Sequence, residues 1–309
     1  MRIFITGATG VIGSRAVPLL HQAGHTLTAA SRSERNREAL RRAGAAPVNV
    51  DLFDVSSVRR VIAGHDAVIN LATHIPSSAV KIMIRWAWRT NDRIRREASA
   101  AIATAAIAEG VGRMIQESFA LIYPDRGDAW IDESVPVAPT SYNRSVLDAE
   151  RSAQRFVESG GAGVVLRFGG LYGPDALLAE MLNMMGRGMS PVPGDPGAFL
   201  SSLSQDDAAT AVVAALGVSA GTYNAVEDEP MRRGDWTRSL ATAAGIPVPR
   251  PIPAWMTAIG GSMLRLMSRS ERVSNRRFRD ASGWAPKYPK ASDAWGDVLR
   301  SLSVARAAA

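Results

Sequence analysis

The first residues equipped for chemistry stand at the start of the chain. The run Thr6-Gly7-Ala8-Thr9-Gly10-Val11-Ile12-Gly13 follows an apolar stretch, Ile3 to Thr6, and opens a helical one, Ile12 to Ala23. A strand, a glycine loop and a helix in this order suit a pyrophosphate. Gly7 allows the tight turn, Gly10 lets the backbone approach the phosphates, and Gly13 lets helix and strand pack closely. The helix start adds unpaired N–H groups and a partial positive charge. Gly7, Thr9, Gly10, Val11, Ile12 and Gly13 are therefore expected to hold a dinucleotide. After the next strand, Thr26 to Ala30, sites that prefer NAD carry an acid for the ribose 2′-hydroxyl. Here that place reads Ser31-Arg32-Ser33. Arg32 suits a 2′-phosphate through charge-assisted hydrogen bonds, with Arg35 and Arg37 nearby. Ser31 and Arg32 are expected cofactor contacts, and NADP(H) is favoured, with NAD(H) left open.

These residues need elements to position them, and the pattern supplies strands alternating with helices. Further strands are expected at Pro47 to Val50, Ala67 to Leu71, Met114 to Glu117 and Gly163 to Phe168. Helices are expected at Glu34 to Ala43, Val55 to Ile62, Ala79 to Glu109 and Ser145 to Ser159. Such alternation implies right-handed crossovers and a doubly wound parallel sheet of Rossmann type. From Gly169 onward glycine, proline and methionine become frequent and the alternation weakens. Residues 1–168 are read as a dinucleotide-binding domain. Residues 169–309 are read mainly as a smaller substrate-binding lobe, with some segments returning to the core.

Composition narrows the field. The 309 residues include no cysteine and only four histidines. Disulfides, thiolate metal sites and cysteine nucleophiles are excluded, and no metal site is expected. A net charge of +7 is compatible with an anionic ligand. Arginines concentrate between Arg32 and Arg42 and between Arg265 and Arg279, and no nucleic-acid module is recognisable. The first strand has no signal-peptide pattern before it, and Trp255 to Met267 is too short to span a bilayer. A cytoplasmic protein with a small-molecule substrate and no membrane or nucleic-acid partner is expected.

The order of these motifs resembles the extended and atypical short-chain dehydrogenase/reductases, with the NAD-dependent epimerase/dehydratase group and its NmrA-like and dihydroflavonol-reductase-like neighbours. Besides the glycine loop, Asp51-Leu52 is similar to the acid pair at adenine. Asn70-Leu71-Ala72 is similar to the segment lying along the cofactor, with Thr73 next to it, and Asn91 to a structural asparagine. Leu166-Arg167, Leu171-Tyr172-Gly173-Pro174, Asp206-Asp207-Ala208, Thr222-Tyr223-Asn224 and Gly283-Trp284-Ala285-Pro286 match later landmarks. The resemblance implies that Asp51, Leu52, Leu71, Ala72 and Thr73 contact the cofactor. It places the substrate pocket near Met181, Met184, Met185 and Met189, and it suggests a homodimer through the helices ending near Glu109 and starting near Ser145.

The family's active-site motif is altered. Its tyrosine falls on Tyr142, but its lysine falls on Val146 and its upstream serine or threonine on Phe119. Tyrosine has a pKa of about 10, and bringing it to about 7 takes roughly 4 kcal/mol. Val146, one helical turn from Tyr142, supplies none of that. Phe119 donates no hydrogen bond, a loss worth about 10²–10³ in rate. Tyr142 is the expected proton donor, with His74 or Ser118 assisting; Glu117 and Tyr123 are weaker substitutes. The expected function is an NADP(H)-dependent oxidoreductase acting on a small or medium, rather apolar carbonyl or alcohol. The alternatives are a non-catalytic NAD(P)-binding sensor, as among NmrA-like proteins, and a non-redox enzyme that keeps the nucleotide.

Overall fold

A computed structural model describes residues 1–76, 78–252 and 261–307. Its centre is a parallel sheet. Strands β1 (Arg2–Thr6), β2 (Thr26–Ala30), β3 (Ala45–Val48), β4 (Ala67–Asn70), β5 (Arg113–Phe119), β7 (Ala162–Phe168) and β11 (Gly221–Ala225) lie in the order β11-β7-β5-β4-β1-β2-β3, and the short strands β6 (Trp130–Ile131), β8 (Gly170–Tyr172), β9 (Phe199–Leu200) and β10 (Ser202–Ser204) pair outside it. The order reverses between β1 and β4, which is where ligands bind in open sheets of this kind. Alternation along β1 sets both cores. Ile3 and Ile5 face one side with α1 (Gly13–Gln22) and α9 (Gln205–Ala214). Phe4 faces the other, with α3 (Val55–Ile62) and α6 (Ser99–Ala108). Helix α7 (Ser145–Glu158) completes that layer, its Phe156 buried in the same cluster. The third strand begins two residues before its expected start. Segments α9 and β11 come from the C-terminal half and build the central layer.

Local signals set the helix ends. Ser33 caps α2 (Glu34–Arg42) by accepting from the Asn36 amide, and Asp54 caps α3 by accepting from Ser56 and Ser57. The single helix expected from Ala79 to Glu109 is broken. It becomes α4 (Ala79–Ile82), a 3₁₀ turn (Arg85–Trp88), α5 (Arg89–Arg93), a π turn (Ile94–Ala98) and α6. Ile84 is extended at the break, and the Trp88 indole donates to the freed Ile82 carbonyl at 2.9 Å. The π turn widens the helix where Arg95 is buried, a common device at functional sites.

A separate core lies among elements after β7. Tyr172, in β8 (Gly170–Tyr172), meets Trp295 with ring centroids 4.8 Å apart, and Trp236 meets Trp295 edge-on at 5.0 Å. Helices α8 (Ala176–Gly186) and α10 (Arg233–Ala243) frame it, with Met185 inside. Within the apolar stretch from Trp255 to Met267, residues Gly261–Met267 form a helix; residues 253–260, including Trp255, lie outside the described residues. Among the described residues no helix is long and apolar enough to cross a membrane.

A buried carboxyl ties that core to the sheet. Glu227, just past β11, accepts from the Tyr172 hydroxyl at 2.7 Å and from Ser202 at 2.8 Å. Burial pushes its pKa up to about 7, against the opposing pull of the two hydroxyl donors. A carboxyl with a raised folded-state pKa binds its proton more tightly when folded. The folded state therefore loses stability as pH rises from about 4.5 to about 7, and no more above that. Glu227→Gln removes the charge and keeps one acceptor oxygen, its amide NH₂ donating to the other hydroxyl once that hydroxyl turns to accept. Denaturant unfolding should find the variant gaining on the wild type between pH 5 and 7.5, by up to about 3 kcal/mol. A constant difference across that range would show that Glu227 does not titrate there.

Candidate functional site

The carboxyl ends of β1 and β4 bring the glycine loop against the segment after β4. Gly7 has φ +67°, and a Cβ there would lie 2.3 Å from the Leu71 carbonyl oxygen. A Cβ on Gly13 would lie 2.2 Å from the Gly7 oxygen. Gly10 differs: only the Gly7 oxygen, at 3.2 Å, comes within 4 Å, so its outer face is open. Among the described residues, the amides of Val11, Ile12 and Gly13 have no acceptor. Open space, free amides and a helix start together make an anion cradle. These residues fit the pyrophosphate of a dinucleotide.

A hydrogen-bonded knot holds the floor of the cleft. Asn70 accepts from the Thr6 hydroxyl at 2.6 Å and donates to Gln116 at 2.8 Å and Ser99 at 3.1 Å. It therefore joins β1, β4, β5 and α6. Leu71 is buried, and Ala72 and Thr73 are half-buried. The His74 amide donates to Asn91 Oδ1 at 2.8 Å, so Asn91 fixes the course of this segment. The His74 side chain is exposed beside it. Asp51 turns back to accept from the Phe53 amide at 2.9 Å, and Leu52 packs against the core on the α3 side.

At the end of β2, Ser31 is buried and Arg32 is exposed. Among the described residues Arg32 and Arg35 have no ion-pair partner, whereas Arg37 and Arg41 are both held by Glu34. Arg32 and Arg35 are thus the exposed cations left without an acid at this end of β2.

Among the described residues no hydrogen bond joins Tyr142, His74 and Ser118. Ser118 is fully buried and gives its hydroxyl to Glu150 on α7 at 2.5 Å. Glu150 is also gripped by two Arg167 nitrogens, each at 2.8 Å. Adjacent strand residues face opposite sides of a sheet, and Ser118 serves the helix layer. Tyr142 is nearly buried and donates to the Met83 carbonyl at 2.9 Å. Val146 is completely buried where the motif would carry its lysine. Tyr123 is committed elsewhere, to Asn224 at 2.9 Å and Arg167 at 2.8 Å, and burial raises its pKa.

Sequence reasoning missed one charged residue here. Arg95, in the π turn, is buried and pairs with Glu117 on β5 at 2.9 Å. Arg95 Nε, Glu117 Oε2 and Asn91 Nδ2 are buried without partners. The readable signal was the four-residue spacing of Asn91, Arg95 and Ser99, a polar stripe on a helix that must pack inward.

Comparisons with known proteins agree with this architecture. The family model described as the NAD dependent epimerase/dehydratase family matches residues 3–225. The chain is 32% identical over 311 residues to a 3-diazoavenalumate denitrifying reductase of a Streptomyces species, covering 96% of this chain and 99% of that one. A solved dTDP-glucose 4,6-dehydratase of Streptomyces venezuelae with NAD bound superposes with a TM-score of 0.81 at 18% identity, covering 99% of this chain and 98% of that one. A human epimerase family protein with NADPH gives a TM-score of 0.76 at 20% identity, covering 97% and 99%.

Gly7→Ala tests the cradle. The new methyl meets backbone at a positive φ, so the loop must shift. A loss of about 1–3 kcal/mol in stability is expected, with nucleotide affinity falling about tenfold or more. Unchanged denaturation and unchanged fluorescence titration with NADPH would contradict the placement of the loop.

Proposed function

The chain belongs to the NAD-dependent epimerase/dehydratase family, and from that premise we propose that it is an NADP(H)-dependent reductase of a small or medium, mainly apolar substrate. The observation that carries the cofactor preference is the unpaired, exposed Arg32 after β2, where a ribose-binding acid would favour NAD. Structural neighbours hold NAD or NADPH, which supports a nicotinamide cofactor of either kind. The glycine loop would hold the pyrophosphate, Asp51 and Leu52 the adenine end, and Leu71, Ala72 and Thr73 the nicotinamide side. When bound, the reduced cofactor supplies a hydride.

What the chain itself adds is modest. Tyr142 is the remaining protic group of the family motif. It donates to a substrate oxygen only after releasing the Met83 carbonyl. Val146 leaves no cation one turn away to favour the tyrosinate, and Phe119 polarises nothing. His74, exposed beside the segment after β4, is the second candidate for moving a proton. Ser118 would first have to leave Glu150.

A second reading follows from the relative that acts on a diazo compound. A diazonium ion, R–N₂⁺, takes hydride on carbon while the C–N electron pair departs with N₂, giving R–H and N₂. Charge balances there without a proton, so no acid is needed. A site that has lost the lysine and the hydroxyl suits such a reaction better than it suits carbonyl reduction.

Titration with NADPH and NADH, followed by nicotinamide fluorescence, tests the cofactor reading. NADPH should bind more tightly, and Arg32→Asp should weaken it by about 10–100-fold, the worth of a hydrogen bond to a charged group. Equal binding of both nucleotides, unmoved by the substitution, would refute the preference. Tyr142→Phe then separates the two readings. Carbonyl reduction should lose about 10²-fold or more in kcat, whereas denitrifying reduction should be unaffected.

A further inference from the structure

The surroundings of Tyr142 point to a substrate class. The tyrosine lies in a cluster with Met83, Trp88, Leu121, Met263, Leu266 and Met267. Met83 and Trp88 come from the broken segment before α5, Leu121 from just after β5, and the others from the helix Gly261–Met267. The Trp88 ring stands edge-on to the Tyr142 ring, with centroids 6.5 Å apart.

The polar groups of this cluster are already occupied. The Tyr142 hydroxyl is on the Met83 carbonyl, and the Trp88 indole is on the Ile82 carbonyl. A sugar ring here would bury hydroxyls without partners, each costing about tenfold in affinity. Flat hydrocarbon faces lose nothing. Methionine side chains reshape easily and make favourable sulfur–aromatic contacts. The same chain segment exposes further apolar side chains: Ile75, Val80 and Trp86 are 53%, 71% and 65% exposed.

One end of the cluster is cationic. The Arg85 guanidinium lies 6.0 Å from the Tyr142 ring centroid. Its partner Asp92 shares its charge with the Ser145 hydroxyl, at 2.7 Å each. Arg85 keeps 44% of its side chain exposed, and Arg89, one turn on, is exposed without an ion-pair partner among the described residues.

We propose that this site takes a planar, conjugated or aromatic molecule carrying a carboxylate, its ring among Trp88, Leu121 and the methionines and its carboxylate at Arg85, and that it rejects nucleotide sugars. The proposal deepens the reductase reading and rests on it for turnover; ligand binding is read without turnover.

The test begins with NADPH alone, followed by fluorescence, which judges the cofactor reading by itself. Trans-cinnamate, its methyl ester and UDP-glucose are then titrated calorimetrically into protein with and without NADP⁺. Cinnamate should bind, its ester about tenfold more weakly, and UDP-glucose not at all. Arg85→Gln should weaken cinnamate about tenfold and leave the ester unchanged. Tighter binding of UDP-glucose than of cinnamate would overturn the proposal. So would equal binding of acid and ester that Arg85→Gln leaves unmoved, or no binding of any of the three to protein that holds NADPH. If NADPH fails to bind while cinnamate binds as described, the cofactor reading falls and the aromatic site stands.

Discussion

Backbone contact between Gly7 and Leu71 is the constraint on which the rest of the molecule depends. A methyl group would not fit between them. Because the turn after β1 lies directly against the chain leaving β4, helix α1 starts at the carboxyl edge with its free amides outward. The cleft then has a floor, and Asn70 locks that floor by joining three strands and a helix. A buried polar knot of this kind costs stability if one member is lost. Here Asn70 ties the elements around it to the segment after β4, whose Ala72 amide donates to it as well.

Much of this was legible in the residues. Glycine types, their spacing and the apolar runs placed β1, α1, β2 and the loop between them, because each signal acts within a few residues. The caps at Ser33 and Asp54 are equally local. The return of α9 and β11 to the central layer was legible only through resemblance to a family, since strand order is a long-range property. The break at Ile84 was invisible for a different reason. The run from Ala79 to Glu109 has the periodicity of one helix, and what interrupts it is tertiary: an indole that takes the Ile82 carbonyl and a buried guanidinium that needs a wider turn.

The catalytic candidates show the same division. Tyr142 could be located by motif, but its hydroxyl partner is a backbone carbonyl 59 residues away, which no spacing rule supplies. Ser118 looked available beside Phe119. Its commitment to Glu150 follows from strand alternation combined with Arg167 on the neighbouring strand. The altered motif is thus accompanied by altered surroundings. Val146 stands where the motif carries its lysine, while a charged pair, Arg95 with Glu117, is buried between the π turn and β5.

The π turn at Ile94–Ala98 has a consequence for how this chain can change over generations. A π turn is an α-helix that has accepted one residue too many, and each residue of an α-helix turns it by about 100°. The stretch before the turn is therefore rotationally out of step with α6. Additions or deletions upstream can be taken up at this slack point without dragging α6 across the sheet. The stretch so released carries Met83, Arg85 and Trp88. The wall beside Tyr142 can change in length while α6 and the floor beneath it stay in place.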